Sequence, residues 1–167
     1  MAAPYRIVPL DPELDRSRFV SGVDALDHYF RERVMQDVRR HVANCFVALD
    51  CCDGGPCGYF TLAAASVLLS GLPEGVARKL PRYPTVPAVR LGRLAVARAN
   101  RGQGLGAALL ADALARSLAA DIAAFAMIVD AKDAAAAAFY AHHGFLPFAD
   151  SPGTLFLTLA TARAALR

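Results

Sequence analysis

Long apolar runs are missing from this 167-residue sequence, although 56% of it is hydrophobic. A transmembrane helix needs about 20 continuous apolar residues. Even the Ala-rich stretch from Ala107 to Ala138 is broken by Asp112, Arg116, Asp121, Asp130, Lys132 and Asp133, so no membrane association is expected. The N-terminal MAAPYRIVPLDPELDR has no basic stretch leading into an apolar core, so no secretory signal is expected and a cytoplasmic location follows. Metal-ligand spacing is lacking as well. Cys45, Cys51, Cys52 and Cys57 crowd into thirteen positions without repeating the paired spacing of zinc sites. His28, His41, His142 and His143 add no ligand pattern. The cysteines read as small apolar residues around a hairpin turn, and no metal is expected.

Acids are absent from the most basic segment of the chain. Lys+Arg total 18 and Asp+Glu 15, a net charge of +3. Residues 1–53 carry seven basic groups and nine acids, whereas Arg78, Lys79, Arg82, Arg90, Arg93, Arg98 and Arg101 lie between Glu74 and Asp112 without an acid among them. Such a block attracts phosphates, of a cofactor or of nucleic acid; it is also compatible with a solvated loop. The apolar fraction excludes a disordered chain, and the length fits one domain with a sizeable core.

The pattern of the chain is alternating α/β, without an internal repeat. Tyr5–Pro9 is an expected strand. Val23, Leu26, Phe30, Val34 and Val38 recur at three or four residues and predict an amphipathic helix capped by Ser21 or Gly22. Cys45–Leu49 and Gly58–Val67 flank the turn Asp53-Gly54-Gly55-Pro56 and predict a hairpin. Pro73, Pro81, Pro84 and Pro87 leave room for one short helix at Glu74–Leu80. A strand at Val89–Val96, a helix at Leu105–Ala119 and a buried strand at Phe125–Asp130 follow. Asp133 caps a helix running to His142 or His143, Gly144 ends it, and Leu146–Phe148 and Thr154–Thr161 are terminal strands.

The segment richest in chemistry is Arg101-Gly102-Gln103-Gly104-Leu105-Gly106, between a strand and a helix. Glycines let backbone N–H groups turn towards a ligand with no Cβ in the way, and a helix start adds unpaired donors and a positive dipole end. This is a diphosphate cradle with the Arg101 charge at its rim. A Walker loop is excluded because no Lys-Ser or Lys-Thr follows. Gly102, Gly104 and Ala107 meet the dinucleotide fingerprint literally, but five residues separate Val96 from the first glycine, and only about sixty residues remain after the loop. A turn built for close packing is the alternative without a ligand.

Leu91-Gly92-Arg93-Leu94-Ala95-Val96 followed by Arg101-x-x-Gly104-x-Gly106 resembles the acetyl-CoA motif of the GNAT acetyltransferases, and Ala138-Phe139-Tyr140-Ala141-His142-His143-Gly144-Phe145 resembles their C-terminal signature. Within that superfamily, Phe19–Asp27, Gly58–Val67, the LGRLAV run and Asp130-Ala-Lys-Asp-Ala resemble the TacT-like toxins of toxin–antitoxin pairs, which acetylate the amino group of aminoacyl-tRNA. The resemblance implies a single GNAT domain over residues 1–167, with a mixed sheet of about six to seven strands splayed at the acetyl-CoA site and flanked by helices. It implies acetyl-CoA as cofactor, held by Leu94, Ala95, Val96, Arg101, Gly102, Gln103, Gly104, Leu105, Gly106, Lys132, Asp133 and Phe139. The backbone N–H near Val96 would polarise the thioester carbonyl. Tyr140 is the implied general acid for the departing thiolate, since a phenol with pKa near 10 keeps its proton at pH 7.

A general base is not evident. Many members place a Glu near the strand before the loop, where this chain has no acid. A lysine amine, with pKa near 10.4, needs help to lose its proton, whereas an α-amino group starts near 7.7–8.0 and esterification lowers it further. The gap therefore suits an aminoacyl ester, with a distant acid or water acting alone as the alternatives. The acceptor stem of tRNA would then lie on Arg78, Lys79, Arg82, Arg90 and Arg93, with Arg31, Arg39 and Arg40 as second candidates. A ribbon-helix-helix antitoxin and a homodimer are the implied partners. Two other functions remain open on the sequence: acetylation of a small amine, peptide or protein N-terminus, and a catalytically silent module that binds CoA or nucleic acid.

Overall fold

A computed structural model describes residues 4–166. Seven strands are hydrogen-bonded in the order β1-β2-β3-β4-β5-β7-β6: β1 (Tyr5–Pro9), β2 (Asn44–Asp50), β3 (Pro56–Leu68), β4 (Thr85–Val96), β5 (Ala126–Asp130), β6 (Leu146–Phe148) and β7 (Ser151–Thr158). The helices are α1 (Asp24–His28), α2 (Val34–Arg39), α3 (Glu74–Ala77), α4 (Leu105–Ala119), α5 (Ala134–His142) and α6 (Leu159–Ala165). The sheet is mixed, as expected: β4 pairs parallel with β5, from Ala88 opposite Ala126 to Leu91 opposite Val129, while β1–β2, β2–β3, β5–β7 and β6–β7 are antiparallel. The chain forms two compact units, one made of the described residues up to Ala63 with Gly92–Ala113, the other of Ala64–Leu91 with the described residues from Leu114.

In the first unit an aromatic cluster fills the core. Phe30 stacks on Tyr59 with ring centroids 4.3 Å apart, Phe19 packs edge-on against both rings, and Val34, Cys45, Val47, Ala95 and Ala97 complete the cluster. Tyr59 is anchored through its hydroxyl, which donates to the Leu26 carbonyl at 2.8 Å. Leu105, Leu109, Leu110 and Ala113 form the buried stripe of α4. Gly58 is required beneath it, because a Cβ there would lie 2.8 Å from the Ala95 carbonyl oxygen and 2.9 Å from a Leu109 methyl. The second unit is built around Val67, Leu72, Val86, Ala88, Ala126, Ile128, Phe148 and Phe156. Within β5, Ala126–Val129 are buried and Asp130 is exposed, as its apolar run predicts.

Several expectations are corrected. The first helix is not continuous: a π turn at Tyr29–Arg33 separates α1 from α2. The Val34 N–H bonds the Tyr29 carbonyl, which releases the Phe30 carbonyl to accept Arg16 Nε at 2.8 Å. Neither Ser21 nor Gly22 is the helix cap; Val23 holds that position with no side-chain bond. The short helix expected at Glu74–Leu80 ends at Ala77, and tighter turns from Lys79 to Val76 and from Leu80 to Ala77 lead into Pro81, which disfavours helical geometry in the residue before it. Strand β4 starts at Thr85 and includes Pro87, whose carbonyl accepts the Phe125 N–H at 2.8 Å. The terminal strand ends at Thr158 rather than Thr161. There the Thr158 hydroxyl accepts the Thr161 N–H, and α6 begins, burying Leu159 and Ala162.

Candidate active-site residues

Strand β4 ends at Val96, and the Ala97 N–H bonds the Cys57 carbonyl at 2.7 Å. A 3-10 turn at Arg98–Asn100 then leads into the glycine loop. Gly102 and Gly104 have φ of +77° and +78°, in the left-handed region that side chains resist, and a Cβ on either would meet nothing within 4 Å. Their conformation therefore leaves open space where a side chain would stand. The Gly104 carbonyl accepts the Ala108 N–H at 3.1 Å and opens α4, whose first N–H groups have no partner within the helix. Fifteen residues of helix put the positive end of their dipole at this loop. Exposed backbone donors, absent side chains and open space fit the diphosphate of acetyl-CoA.

The loop is braced from its own unit. The Gln103 side-chain carbonyl accepts from the Tyr5 hydroxyl, and Asn100 Nδ2 donates to that hydroxyl at 3.4 Å. Arg101, expected at the rim, donates from its guanidinium to the Ser21 carbonyl. Leu105 is buried and Gly106 half-buried. Of the three residues ending β4, Leu94 and Val96 are half-buried, while Ala95 packs in the aromatic core and so has only its backbone to offer. The Arg93 N–H donates to Thr61 Oγ1 at 3.1 Å, and a Cβ on Gly92 would lie 2.9 Å from that oxygen.

The other candidates belong to the second unit. Asp133 caps α5 as expected, its carboxylate accepting the Ala136 N–H at 2.8 Å, and Gly144 ends that helix with φ +94°. Lys132 is exposed and Phe139 is half-buried. Tyr140 is 8% exposed, with its ring 5.2 Å from Phe139 and 5.4 Å from Phe145. Burial pushes its hydroxyl pKa up to about 12, so it holds its proton across the physiological range. Within its own unit Tyr140 thus keeps a proton at neutral pH.

The basic residues divide by environment. Arg78, Lys79 and Arg82 are exposed in the second unit, where Arg90 forms an ion pair with Asp130. In the first unit the Arg93 guanidinium lies 3.5 Å over the Tyr29 ring. Of the second candidates, Arg39 and Arg40 are exposed, and Arg31 lies 3.8 Å from Asp27. Among the described residues, no group of three His, Cys, Asp or Glu side chains is placed to hold a metal, and no helix is long and apolar enough to cross a membrane. Sequence reasoning gave no role to Asp27, a buried acid that closes the toxin-like segment Phe19–Asp27, or to Gly58, whose close packing no local pattern announces.

A model of the family described as acetyltransferase (GNAT) domain matches residues 41–147. The chain belongs to the GNAT acetyltransferases, enzymes that move an acetyl group from acetyl-CoA to an amine. It is similar, at 39% identity over 98% of its own length and 95% of the relative's, to a tRNA-acetylating toxin of Mycobacterium tuberculosis. Among solved structures it resembles AtaT complexed with acetyl-methionyl-tRNAfMet, with a TM-score of 0.86 and 28% identity over 98% of this chain and 99% of that one. It also resembles AtaTR bound with AcCoA, with a TM-score of 0.82 and 28% identity over 98% and 99% of the two chains.

Proposed function

We propose that this protein transfers the acetyl group of acetyl-CoA to the α-amino group of aminoacyl-tRNA, and that it blocks translation as the toxin of a toxin–antitoxin pair. The observation that carries the proposal is its near full-length kinship with a tRNA-acetylating toxin. The chemistry of the chain supports it. No acid lies between Glu74 and Asp112 to serve as a base beside the loop, and an α-amino ester is the amine that least needs one.

Bound acetyl-CoA supplies an activated acetyl group as a thioester. The N–H groups of Gly102, Gln103, Gly104, Leu105 and Gly106, with the remaining donors of Arg101, hold its pyrophosphate. Leu94, Ala95 and Val96 bind along it through their backbone, and the Val96 N–H polarises the reacting carbonyl. Lys132 and Phe139 flank the cofactor, while Asp133 fixes the start of α5. Tyr140 gives its proton to the sulfur as the C–S bond breaks and the C–N bond forms; its phenolate then takes the proton that the attacking nitrogen sheds.

Arg78, Lys79 and Arg82, exposed and followed by no acid before Asp112, carry the phosphate contacts to the acceptor stem. Arg90 and Arg93 add to them from positions already tied to Asp130 and Tyr29. The protein works in the cytoplasm as a homodimer, and a ribbon-helix-helix antitoxin restrains it. Incubation with labelled acetyl-CoA and charged tRNA, uncharged tRNA or a panel of amines and peptides tests the acceptor. Label is expected on charged tRNA alone; label on an amine or peptide, or on nothing, refutes the proposal.

A further inference from the structure

Asp27 is 2% exposed, and its carboxylate is used almost entirely on one turn. It accepts the Ser21 N–H at 2.9 Å, the Ser21 hydroxyl at 2.6 Å and the Gly22 N–H at 3.4 Å. Arg31, at 3.8 Å, is beyond hydrogen-bond range, and its buried Nε has no hydrogen-bond partner, so the donors of Ser21 and Gly22 are the close partners of this buried charge. Backbone carbonyls of the same turn seat Arg98 and Arg101, the two arginines that lead into the glycine loop. Its Ser21 carbonyl accepts the Arg101 guanidinium, and the preceding Val20 carbonyl accepts the Arg98 N–H at 2.8 Å. At Gly22, with φ +95°, a Cβ would stand 2.9 Å from Arg101 Nη2 and 3.0 Å from Arg98 Nη2. Two like charges thus converge on one glycine, and their seat is held in place by the anion beneath it.

We propose that Asp27 is a positioning residue for the cofactor loop: by fixing the Ser21–Gly22 turn it holds the Arg101 guanidinium, and with it the backbone entering Gly102, in the geometry that receives the pyrophosphate of acetyl-CoA. This rests on the acetyl-CoA role given above. A purely structural Asp27 would lower thermal stability and, through the smaller fraction folded, apparent kcat, with no selective rise in KM for acetyl-CoA. A positioning Asp27 raises KM and Kd for acetyl-CoA while leaving kcat at saturation, and KM for the acceptor, in place, and it acts only while Arg101 is there to be positioned.

The test is a double-mutant cycle of Asp27→Asn and Arg101→Ala, read by calorimetric titration with acetyl-CoA and by steady-state kinetics. Asp27→Asn is expected to raise Kd and KM for acetyl-CoA by roughly tenfold with kcat within about twofold, and to add nothing in the Arg101→Ala background. If Asp27→Asn fails to fold, Ser21→Ala, which removes the 2.6 Å donor, is expected to weaken binding a few-fold with the same dependence on Arg101. Unchanged binding in the variant overturns the inference, as does an equal loss in both backgrounds. A wild-type chain that binds no acetyl-CoA overturns the functional proposal and this inference with it.

Discussion

Replacing Tyr140 with phenylalanine removes one oxygen from a ring that is 8% exposed and packed between Phe139 and Phe145, so the aromatic contacts at 5.2 and 5.4 Å survive. The change in stability is expected to stay within about 1 kcal/mol. The chemical effect is larger. General acids contribute about 10²–10⁴ in rate and work best when their pKa lies near the operating pH. Burial pushes the Tyr140 hydroxyl up to about 12, which secures the proton but makes it a weak donor, and this places the loss at the low end, about 10²-fold or about 2.7 kcal/mol. The assay is single-turnover acetylation of aminoacyl-tRNA at saturating acetyl-CoA, with binding of both ligands measured separately. The pH profile follows from the same shift. The amine of an aminoacyl ester loses its proton below the 7.7–8.0 of a free α-amino group, and Tyr140 stays protonated far above that range, so the wild-type rate climbs to about pH 8 and holds level to about pH 8.5, short of the alkaline range in which the ester itself hydrolyses. A phenylalanine variant within twofold of the wild-type rate refutes the assignment, and so does a wild-type rate that falls between about pH 7.5 and 8.5.

Gly104→Ala forces a side chain to φ +78° but into open space, so it should cost about 1–2 kcal/mol of backbone strain, a few degrees in Tm, while acetyl-CoA affinity drops by an order of magnitude or more; calorimetric binding equal to wild type contradicts the cradle. Charge reversal at Arg78, Lys79 and Arg82 should weaken tRNA binding and lower the slope of log K against log salt by about one for each phosphate no longer neutralised, with acetyl-CoA binding unaffected. Cys45, Cys57 and Tyr140 have pKa values pushed up by burial from 9.0, 9.0 and 10.0 to about 12, 11 and 12. Across those intervals the folded chain binds more protons than the unfolded one, so urea unfolding should show stability level below pH 9 and falling above it; equal stability at pH 8 and pH 10.5 counts against these burials.

What the sequence made legible is what depends on short spacings. The limits of α4, the Asp133 cap, the Gly144 stop and the left-handed glycines of the loop all follow from residues within a turn of one another. The missed features depend on distant partners. The π turn leaves the Phe30 carbonyl to Arg16, 14 residues upstream, and no periodicity contains that bond. The role of Asp27 is readable only once Arg101 is seen on a carbonyl 80 residues away in sequence. The extension of β4 through Pro87 and the switch from β7 to α6 were obscured by local propensity, which reads proline as a break and threonine as strand. For the basic segment, composition located the cations but not their neighbours, and Arg90 and Arg93 turn out to be engaged with Asp130 and Tyr29 while Arg78, Lys79 and Arg82 face solvent.

The destination of the acetyl group decides the account. Charged tRNA incubated with acetyl-CoA and the protein, then hydrolysed at its ester bond by mild alkali, releases its amino acid for mass spectrometry. An amino acid carrying one acetyl group on its α-nitrogen is expected, formed by the wild type and about 10²-fold more slowly by Tyr140→Phe. Release of the unmodified amino acid alone, with acetyl-CoA consumed on another acceptor or not at all, contradicts it.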